Sequence, residues 1–296
     1  MTTPLISLSG RVALVTGAGQ GLGRAHALAL ARHGAMVAVN DLSQKDADAV
    51  AQEIVAAGGE AVACSANVAD ADSVTAMVDG VVARWGHIDI LVNNAGILRD
   101  RTFAKSTIED FRAVVDVNLM GSVHCTHAVW NLMREQEYGR IVFTTSSSGL
   151  YGNFGQANYS AAKMALVGLM QTLAIEGERY GIHVNCLAPS AATGMTSGLY
   201  DSGDLARLGS DMVAPAVVAL CAEEAPTRAI MLAGAGRFAR AYVTMTQGAY
   251  MIGEEDMAAA VLSQMDRIGD RAGEHVPASG PEQHRLEVAG LQELVR

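Results

Sequence analysis

Short runs of consecutive apolar residues alternate along most of the chain with longer segments whose apolar positions recur at helical spacing. The first run is 11–16, and the first helical segment is 22–33, which stops at Gly34. A parallel strand buried on both faces is continuously apolar, whereas an amphipathic helix repeats every three to four residues. The pattern therefore predicts an α/β fold, a doubly wound Rossmann-type parallel sheet of about seven strands with helices on both faces.

The same reading gives bounds for each element. The predicted strands are 11–16, 36–40, 61–65, 89–92, 140–145, 182–187 and 230–233, followed by an additional strand over 240–246. The predicted helices are 22–33, 43–57, 70–85, about 106–134 with an interruption near Gly121, 157–180, and one near 211–222.

Two parts of the chain depart from this alternation of strands and helices. Segment 190–210 is rich in Gly, Ser and Ala and follows a strand at the carboxyl edge of the sheet, so we expect a substrate-covering loop; an ordinary surface connection fits the same composition. Beyond 246, a one-sided apolar stripe over 257–268, a linker over 273–281 and a short helix over 286–295 are predicted. We therefore predict one domain over 1–246 and a C-terminal helical extension over 247–296 that is not a separate domain.

The composition argues against several classes of protein. A formal net charge of -10 argues against binding of nucleic acid, and a mean hydropathy of +0.21 with 18% charged residues argues against disorder. About half of that net negative charge falls in the last fifty residues. The four cysteines lack the spacing of a disulfide framework or a zinc site, and no targeting or membrane-spanning segment is evident. We expect a cytoplasmic protein with no membrane and no metal.

A glycine-rich loop lies between the first strand and the first helix. It reads Thr16-Gly17-Ala18-Gly19-Gln20-Gly21-Leu22-Gly23. Glycines allow the backbone to turn sharply and approach a pyrophosphate, which then rests on the N-terminus of the helix. A glycine loop alone is weak evidence, but its position between a strand and a helix predicts a dinucleotide site. The predicted cofactor contacts here are Gly17, Gln20, Gly21, Leu22 and Gly23.

The residue at the end of the second strand indicates which dinucleotide is bound. Asp41 stands where a carboxylate can accept hydrogen bonds from the adenosine ribose hydroxyls. A 2′-phosphate at that place would be repelled, and Gln20 brings no positive charge to offset the repulsion. We therefore predict NAD rather than NADP. Asp41 could instead cap the next helix, although Ser43 is better placed to do so.

Four further residues suggest acid–base chemistry on an alcohol. Tyr159 and Lys163 are four residues apart and share one face of a predicted helix, where the ammonium would lower the phenol pKa from its usual value of about 10. Ser146 ends a strand and could bind a substrate oxygen, and Asn118 could interrupt its helix and hold a water behind the lysine. Taken singly, these residues could be a surface aromatic and a helix kink. Together they predict a catalytic group.

This set of motifs resembles that of the classical short-chain dehydrogenase/reductase family. The resemblance spans about 10–235 and rests on the glycine loop, Asn93-Asn94-Ala95-Gly96, Asn118, Ser146 and Tyr159-x-x-x-Lys163. Three segments, 39–42, 96–101 and 151–163, are similar to the (3R)-hydroxyacyl-CoA dehydrogenase part of the peroxisomal multifunctional β-oxidation enzyme and its bacterial single-domain relatives.

The resemblance implies roles and further contacts. Tyr159 would be the general acid/base, Lys163 would lower its pKa and hold the nicotinamide ribose, Ser146 would orient the substrate oxygen and Asn118 would support a proton relay. Further cofactor contacts are implied at Asn67, Val68, Asn94, Ala95, Gly96, Tyr159, Lys163 and Pro189. The family is also commonly oligomeric, which implies a homo-oligomer, a dimer or tetramer.

The preferred activity is the NAD-dependent oxidation of a (3R)-hydroxyacyl-CoA to the 3-oxoacyl-CoA, an activity of lipid metabolism. Asn67 stands where the family usually has Asp, Ser190 replaces a usual Gly, and Gly194 occupies a place where the acyl-CoA enzymes often carry Arg. The last two leave the substrate open. A hydroxysteroid (17β-type) dehydrogenase, a 3-oxoacyl reductase and a non-catalytic NAD-binding sensor are the alternatives. His124 and His127 share a helix face, but no carboxylate is placed to complete a metal site.

Overall fold

The predicted parallel sheet is present, and it gains one strand at its edge. The computed structural model describes residues 6–193, 203 and 207–294, with side chains as far as 289. The strands lie in the order β3-β2-β1-β4-β5-β6-β7-β8, and the pairs from β3 through β7 are parallel. The strands are β1 (Val12–Val15), β2 (Met36–Asp41), β3 (Ala61–Ser65), β4 (Ile90–Asn93), β5 (Gly139–Thr144), β6 (Ile182–Pro189), β7 (Ile230–Gly234) and β8 (Arg237–Ala241).

Helices connect the strands in the alternation that the sequence predicts. Those of the described residues are α1 (Gly21–Arg32), α2 (Gln44–Ala56), α3 (Ala71–Trp85), α4 (Ile108–Val115), α5 (Gly121–Glu135), α6 (Ser147–Tyr151), α7 (Ala157–Gly177), α8 (Ala214–Cys221), α9 (Met257–Ser263), α10 (Met265–Ile268) and α11 (Gly280–Leu294). A π-helical turn, Asp116–Met120, joins α4 to α5 at the predicted interruption.

The central strands are buried because helices cover both faces of the sheet. Every residue of β1, β4 and β5 is buried, which explains their apolar runs, Val12–Val15, Ile90–Val92 and Ile141–Phe143. The helices begin and end on local signals: the side chain of Asp70 accepts the first backbone N–H groups of α3, and Gly86 ends that helix with a φ of 83°. The strand order reverses between β1 and β4, and at such a reversal the loops after the two strands separate and leave a crevice.

The predicted strand over 240–246 was wrong in its bounds. The strand is Arg237–Ala241, and residues 242–244 lie outside any strand. Ala235 and Gly236 both have positive φ, of 48° and 74°, as in the tight turns that join neighbouring strands. Because this turn comes directly after β7, the next strand begins three residues earlier than the apolar pattern alone indicates.

The C-terminal helices also differ from prediction. The last helix begins at Gly280, within the predicted linker, because Pro281 suits the first turn of a helix and Glu282 accepts the backbone N–H of Ala278. The stripe over 257–268 divides at Gln264 into α9 and α10, and its apolar residues Met257, Val261 and Met265 are exposed. Most of the predicted substrate-covering loop, 190–210, lies outside the described residues.

The chain divides into two compact units, Met1–Arg240 and Ala241–Arg296. The second unit has its own hydrogen bonds: Met245 and His275 pair through their backbones, and the Tyr250 hydroxyl donates to carbonyls of α11. Within the described ranges, every helix is too short or too polar to cross a membrane.

Arg140 joins several elements at the amino edge of the sheet, opposite the crevice. Its buried guanidinium donates to the carbonyls of Ala222 (3.0 Å), Glu223 (2.8 Å) and Gly181 (2.9 Å), and it packs over the Tyr138 ring. Hydrogen bonds from a charged donor to buried carbonyls are stronger than neutral ones. Arg140 therefore fixes the end of α8 against β5 and β6.

We expect Arg140→Met to lower the free energy of unfolding by about 2–4 kcal/mol, because several carbonyls lose their donor at once. Urea unfolding followed by circular dichroism measures the change. The matched control is Arg84→Met, since Arg84 is exposed and lies 3.8 Å from Glu60, a surface pair worth about 0–1 kcal/mol. Equal effects of the two substitutions would contradict the role given to Arg140.

Candidate active site

One cavity lies at the crevice between β1 and β4 and has a volume of about 870 Å³. A volume of this size is typical of small-molecule sites. All sixteen predicted site residues line it: Gly17, Gln20, Gly21, Leu22, Gly23, Asp41, Asn67, Val68, Asn94, Ala95, Gly96, Asn118, Ser146, Tyr159, Lys163 and Pro189. They come from the carboxyl ends of six strands, from α1 and α7 and from the π-helical turn, so the fold assembles the set that the sequence predicts.

The glycine loop is packed too tightly for side chains. A Cβ added at Gly23 would lie 2.1 Å from the Gly17 carbonyl oxygen, and Gly17 itself has a φ of 60°. Gly23 therefore lets α1 pack directly against the end of β1, and Gly17 makes the turn between them. This explains the spacing of the two glycines in physical terms.

Thr16 and Asn94 tie the loop after β1 to the loop after β4. The Asn94 side-chain amide donates to the carbonyls of Thr16 (3.0 Å) and Gly17 (3.1 Å). The Thr16 hydroxyl accepts the backbone N–H groups of Asn94 (3.0 Å) and Ala95 (3.1 Å). Asn94 was predicted only as a cofactor contact, and the structure gives it a second task, which is to hold the glycine loop.

The N-terminus of α1 is suited to a phosphate group. No side chain caps its first turn and no acidic residue lies there, whereas α2, α3 and α4 are capped by Ser43, Asp70 and Thr107. Uncapped N–H groups and the positive end of the helix dipole favour an anion. The residues present therefore fit the pyrophosphate of a dinucleotide.

Asp41 lies at the end of β2 and lines the cavity. Its carboxylate accepts the backbone N–H of Gly19 (3.0 Å) and that of Ser43 (3.1 Å). A Cβ at Gly19 would lie 2.8 Å from the same carboxylate, so Gly19 allows this approach. Ser43 caps α2 by accepting the N–H of Asp46, as predicted. Asp41 is thus left beside the glycine loop with its negative charge at the cavity.

Asn67 and Val68 form the adjoining wall. The Asn67 side chain accepts the backbone N–H of Ala69 (3.1 Å), which folds the turn after β3. The Val68 carbonyl lies 3.0 Å from Nδ1 of His124 on α5. His124 therefore packs against the wall of the cavity, and among the described residues no group of three or more His, Cys, Asp or Glu side chains could hold a metal ion.

Asn118 causes the π-helical turn between α4 and α5. Its amide nitrogen donates to the carbonyls of Val114 (2.9 Å), one turn earlier, and of Ile97 (3.0 Å). A side chain that takes part in the helical ladder in this way widens the helix. Its oxygen is buried with no partner in the described residues, and it faces Gly96, where a Cβ would lie 2.5 Å away. The site thus holds one polar atom ready to accept a hydrogen bond.

Ser146 and Tyr159 are brought together from different elements. Ser146 follows β5 and caps α6, and Tyr159 lies in the first turn of α7. Burial raises the pKa of Tyr159 above its ordinary value, a hydrogen bond with Ser146 lowers that pKa, and the negative charge of Asp100 raises it again. The two hydroxyls can bind one substrate oxygen together.

Lys163 lies below Tyr159 on the same face of α7. Its ammonium donates to the Thr144 carbonyl (2.7 Å) and lies 5.6 Å from the centre of the Tyr159 ring. Burial lowers the pKa of Lys163 to about 8. The Lys163 carbonyl accepts the hydroxyl of Thr145 (2.6 Å), which fixes α7 against β5.

Sequence reasoning missed part of the cavity wall. Tyr151, Asn153 and Gln156 line the cavity beside Tyr159, together with Ser190 and Thr193. Residues 151–156 lie inside a segment already singled out for its similarity to known dehydrogenases, which was the available signal. The departure at Gly194 lies outside the described residues.

Comparisons with known proteins agree with this geometry. The family model described as short chain dehydrogenase matches residues 11–202. Peroxisomal multifunctional enzyme type 2 of Drosophila melanogaster is 49% identical over 223 residues, which are 72% of this chain and 37% of the fly protein. A 3-oxoacyl-acyl-carrier-protein reductase of Synechocystis sp. is 49% identical over 197 residues, 66% of this chain and 80% of that protein. The solved structure of the full-length fly enzyme has a TM-score of 0.84 and 36% identity, and covers 98% of this chain and 51% of that one.

The chain belongs to the short-chain dehydrogenase/reductase family. It is therefore an oxidoreductase of small molecules that uses a nicotinamide dinucleotide, NAD or NADP. The predicted family and the predicted enzyme class are confirmed, and so is the similarity to the multifunctional enzyme. The chain spans about a third of the length of the fly relative.

We expect Gly23→Ala to abolish binding of the dinucleotide, because the new methyl group would push α1 away from the Gly17 carbonyl. Overpacking of this kind costs about 1–3 kcal/mol of stability. Titration calorimetry with the dinucleotide and urea unfolding measure the two effects. The control is Gly80→Ala on the exposed face of α3, where a Cβ meets nothing within 4 Å and the helix should gain about 0.5–1 kcal/mol. Unchanged binding by Gly23→Ala would show that the close packing is not required.

Proposed function

We propose that the protein oxidises a (3R)-hydroxyacyl-CoA to the 3-oxoacyl-CoA and uses NAD as the hydride acceptor. The observation that carries this proposal is the meeting of Ser146, Tyr159 and Lys163 in one cavity that has Asp41 at its adenosine end. The substrate class rests on the similarity of the chain to the multifunctional enzymes of β-oxidation.

On the substrate side, two hydroxyls would hold the carbinol oxygen. Ser146 would donate to it, and Tyr159, in phenolate form, would accept its proton. When bound, the nicotinamide would take the hydride from the carbinol carbon. The protein's own contribution is to orient the oxygen and to exclude water from the buried end of the cavity.

The proton would then leave through the interior. Lys163 would stabilise the phenolate by its charge, and it would hold the nicotinamide ribose in the complex. The unpartnered oxygen of Asn118 flanks Gly96, near the lysine ammonium, which supports a relay through water at this place. The phenol would pass the proton along that relay to solvent and so regain the base form for the next turnover.

A second candidate function is the opposite reaction, the reduction of a 3-oxoacyl substrate, which would make the protein a 3-oxoacyl reductase. The identity of 49% to the cyanobacterial reductase supports it. Asp41 counts against it, because reductive biosynthesis generally uses NADPH and a carboxylate at this place repels the 2′-phosphate.

Other predictions belong to the same proposal. We propose that 1–246 is the NAD-binding catalytic domain, that 247–296 extends it, and that the chain forms a homo-oligomer, a dimer or tetramer. A cytoplasmic location and a place in lipid metabolism complete the proposal.

We expect Asp41→Ala to lower the preference for NAD over NADP, measured as the ratio of the two kcat/KM values. Removal of the carboxylate removes its hydrogen bonds to the ribose and its repulsion of the 2′-phosphate. A loss of at least about ten-fold corresponds to about 1.4 kcal/mol. The control is Asp48→Ala on α2, whose carboxylate accepts from Gln44 and lies outside the cavity wall. A wild type that prefers NADP would overturn the cofactor proposal outright.

We expect purified protein to reduce NAD with straight-chain (3R)-hydroxyacyl-CoAs and to be slower with (3S) epimers, steroid alcohols and sterol side-chain CoA esters. Tyr159→Phe should abolish turnover but leave NAD affinity nearly unchanged, because the phenol hydroxyl acts on the substrate. Absorbance at 340 nm measures turnover, and titration calorimetry measures the affinity for NAD. Activity on free steroids alone would contradict the acyl-CoA proposal, and NAD binding without oxidation of any alcohol would favour a sensor.

A further inference from the structure

The segment after β4, residues 97–101, is bonded to the start of α7, the helix that carries Tyr159. The carbonyl of Arg99 accepts the side chain of Asn158 (3.1 Å), and the backbone N–H of Arg101 donates to the carbonyl of Gly155 (2.9 Å). Between these two bonds, the carboxylate of Asp100 accepts the side-chain amide of Gln156 at 2.7 Å. Three consecutive residues of the segment thus contact residues 155–158.

Gln156 is the centre of this contact. It is 2% exposed, its nitrogen donates to Asp100, and its oxygen accepts the side chain of Asn153 (3.0 Å). It is also the N-cap residue of α7, and its carbonyl accepts the first helical N–H, that of Ser160 (2.8 Å). The position of Gln156 therefore sets where the first turn of α7 begins, and Tyr159 lies in that turn.

The other end of the segment is held by a second predicted catalytic residue. The carbonyl of Ile97 accepts the side-chain amide of Asn118 (3.0 Å). Segment 97–101 consequently spans the distance from the π-helical turn of Asn118 to the first turn of α7. A displacement of this segment would change the separation of the two groups.

We propose that Asp100 and Gln156 are positioning residues, which lock the first turn of α7 to segment 97–101 and so hold the phenol of Tyr159 in line with Ser146 and the substrate. This inference rests on the proposed role of Tyr159 as the acid/base. Neither residue needs to touch the reacting atoms, because the effect passes through the backbone of α7.

The charge of Asp100 has a second consequence that can be measured. The groups that act on Tyr159 are Ser146, which lowers its pKa, Asp100, which raises it, and the Lys163 ammonium, which lies 5.6 Å from its ring. Asp100→Asn keeps an oxygen that can accept from Gln156 but removes the negative charge. The pKa of Tyr159 then falls, so the acid limb of kcat/KM for alcohol oxidation should move to lower pH.

The positioning role is tested by exchanging the donor and the acceptor. Gln156→Glu places a carboxylate against the Asp100 carboxylate and breaks the contact, while it still accepts from Asn153. We expect kcat to fall about 10- to 100-fold, the effect of a small misplacement of catalytic groups, with the NAD dissociation constant within about two-fold of wild type. Adding Asp100→Asn supplies an amide that can donate to the new carboxylate, and kcat should recover at least about ten-fold.

The matched control is Asp110→Asn. Asp110 lies 3.8 Å from Arg99 and 3.9 Å from Arg101, so it faces the same segment from α4 without contacting residues 155–158 through these pairs. Asp110→Asn removes an aspartate carboxylate near the same segment, as Asp100→Asn does, but kcat should stay within about two-fold of wild type.

Activity is measured on whichever secondary alcohol the wild type oxidises fastest, so a wrong substrate class does not affect the comparison. If the wild type oxidises no alcohol, the proposed function fails by itself. Hydrogen exchange of residues 97–102 then tests the contact, with faster exchange expected in Gln156→Glu and protection restored in the double variant.

Full activity of Gln156→Glu, or no recovery in the double variant, overturns the proposal. If Gln156→Glu does not fold, a folded and active double variant supports the proposal. Failure of both variants to fold overturns it, since the pair would then serve folding rather than the position of Tyr159. For the case in which no alcohol is oxidised, unchanged exchange in Gln156→Glu overturns it as well.

Discussion

The bonds between Thr16 and Asn94 are the constraint on which the site depends. They join the loops that leave β1 and β4, the two strands between which the sheet order reverses. Without this tie the crevice would have two independent walls. With it, the glycine loop is fixed close to Gly96 and the end of β4, and one continuous cavity runs from Asp41 to Tyr159. The glycines allow this close packing, because a Cβ at Gly23 would clash with both Gly17 and Asn94.

The reacting end of the cavity uses irregular structure held by side chains. Asn118 opens its helix into a π turn, Ser146 begins a short helix after β5, and Lys163 donates to the carbonyl of Thr144. Each of these groups is bonded to a backbone atom, so its position follows from the framework. Rigid placement of this kind lets a protein orient a substrate oxygen without reorganising during the reaction.

Charge is distributed unevenly both along the sequence and within the cavity. About half of the net negative charge lies in the last fifty residues, so the rest of the chain is less acidic than the whole. Within the cavity, Asp41 supplies a negative charge beside the glycine loop and Lys163 a buried ammonium near Tyr159. Burial lowers the pKa of Lys163 to about 8, and the negative charge of Asp100, a residue outside the motif, raises the pKa of Tyr159.

The sequence alone determined the family, the parallel sheet and sixteen of the residues that line the cavity. These follow from local signals: continuous apolar runs for buried strands, glycines before a helix, and a tyrosine and a lysine one helical turn apart. The bounds after β7 were missed, because the turn at Ala235 and Gly236 has no strong signal in the apolar pattern.

Only the tertiary structure shows which residues distant in sequence are hydrogen-bonded to each other around the site. Asn94 holds the glycine loop through contacts nearly eighty residues away in sequence, and Asp100 meets Gln156 across 56 positions. Two of the three segments that resemble known dehydrogenases, 96–101 and 151–163, contact each other only once the chain has folded. Hydrogen bonds between distant residues depend on the packing of helices against the sheet, and that packing is a property of the whole fold.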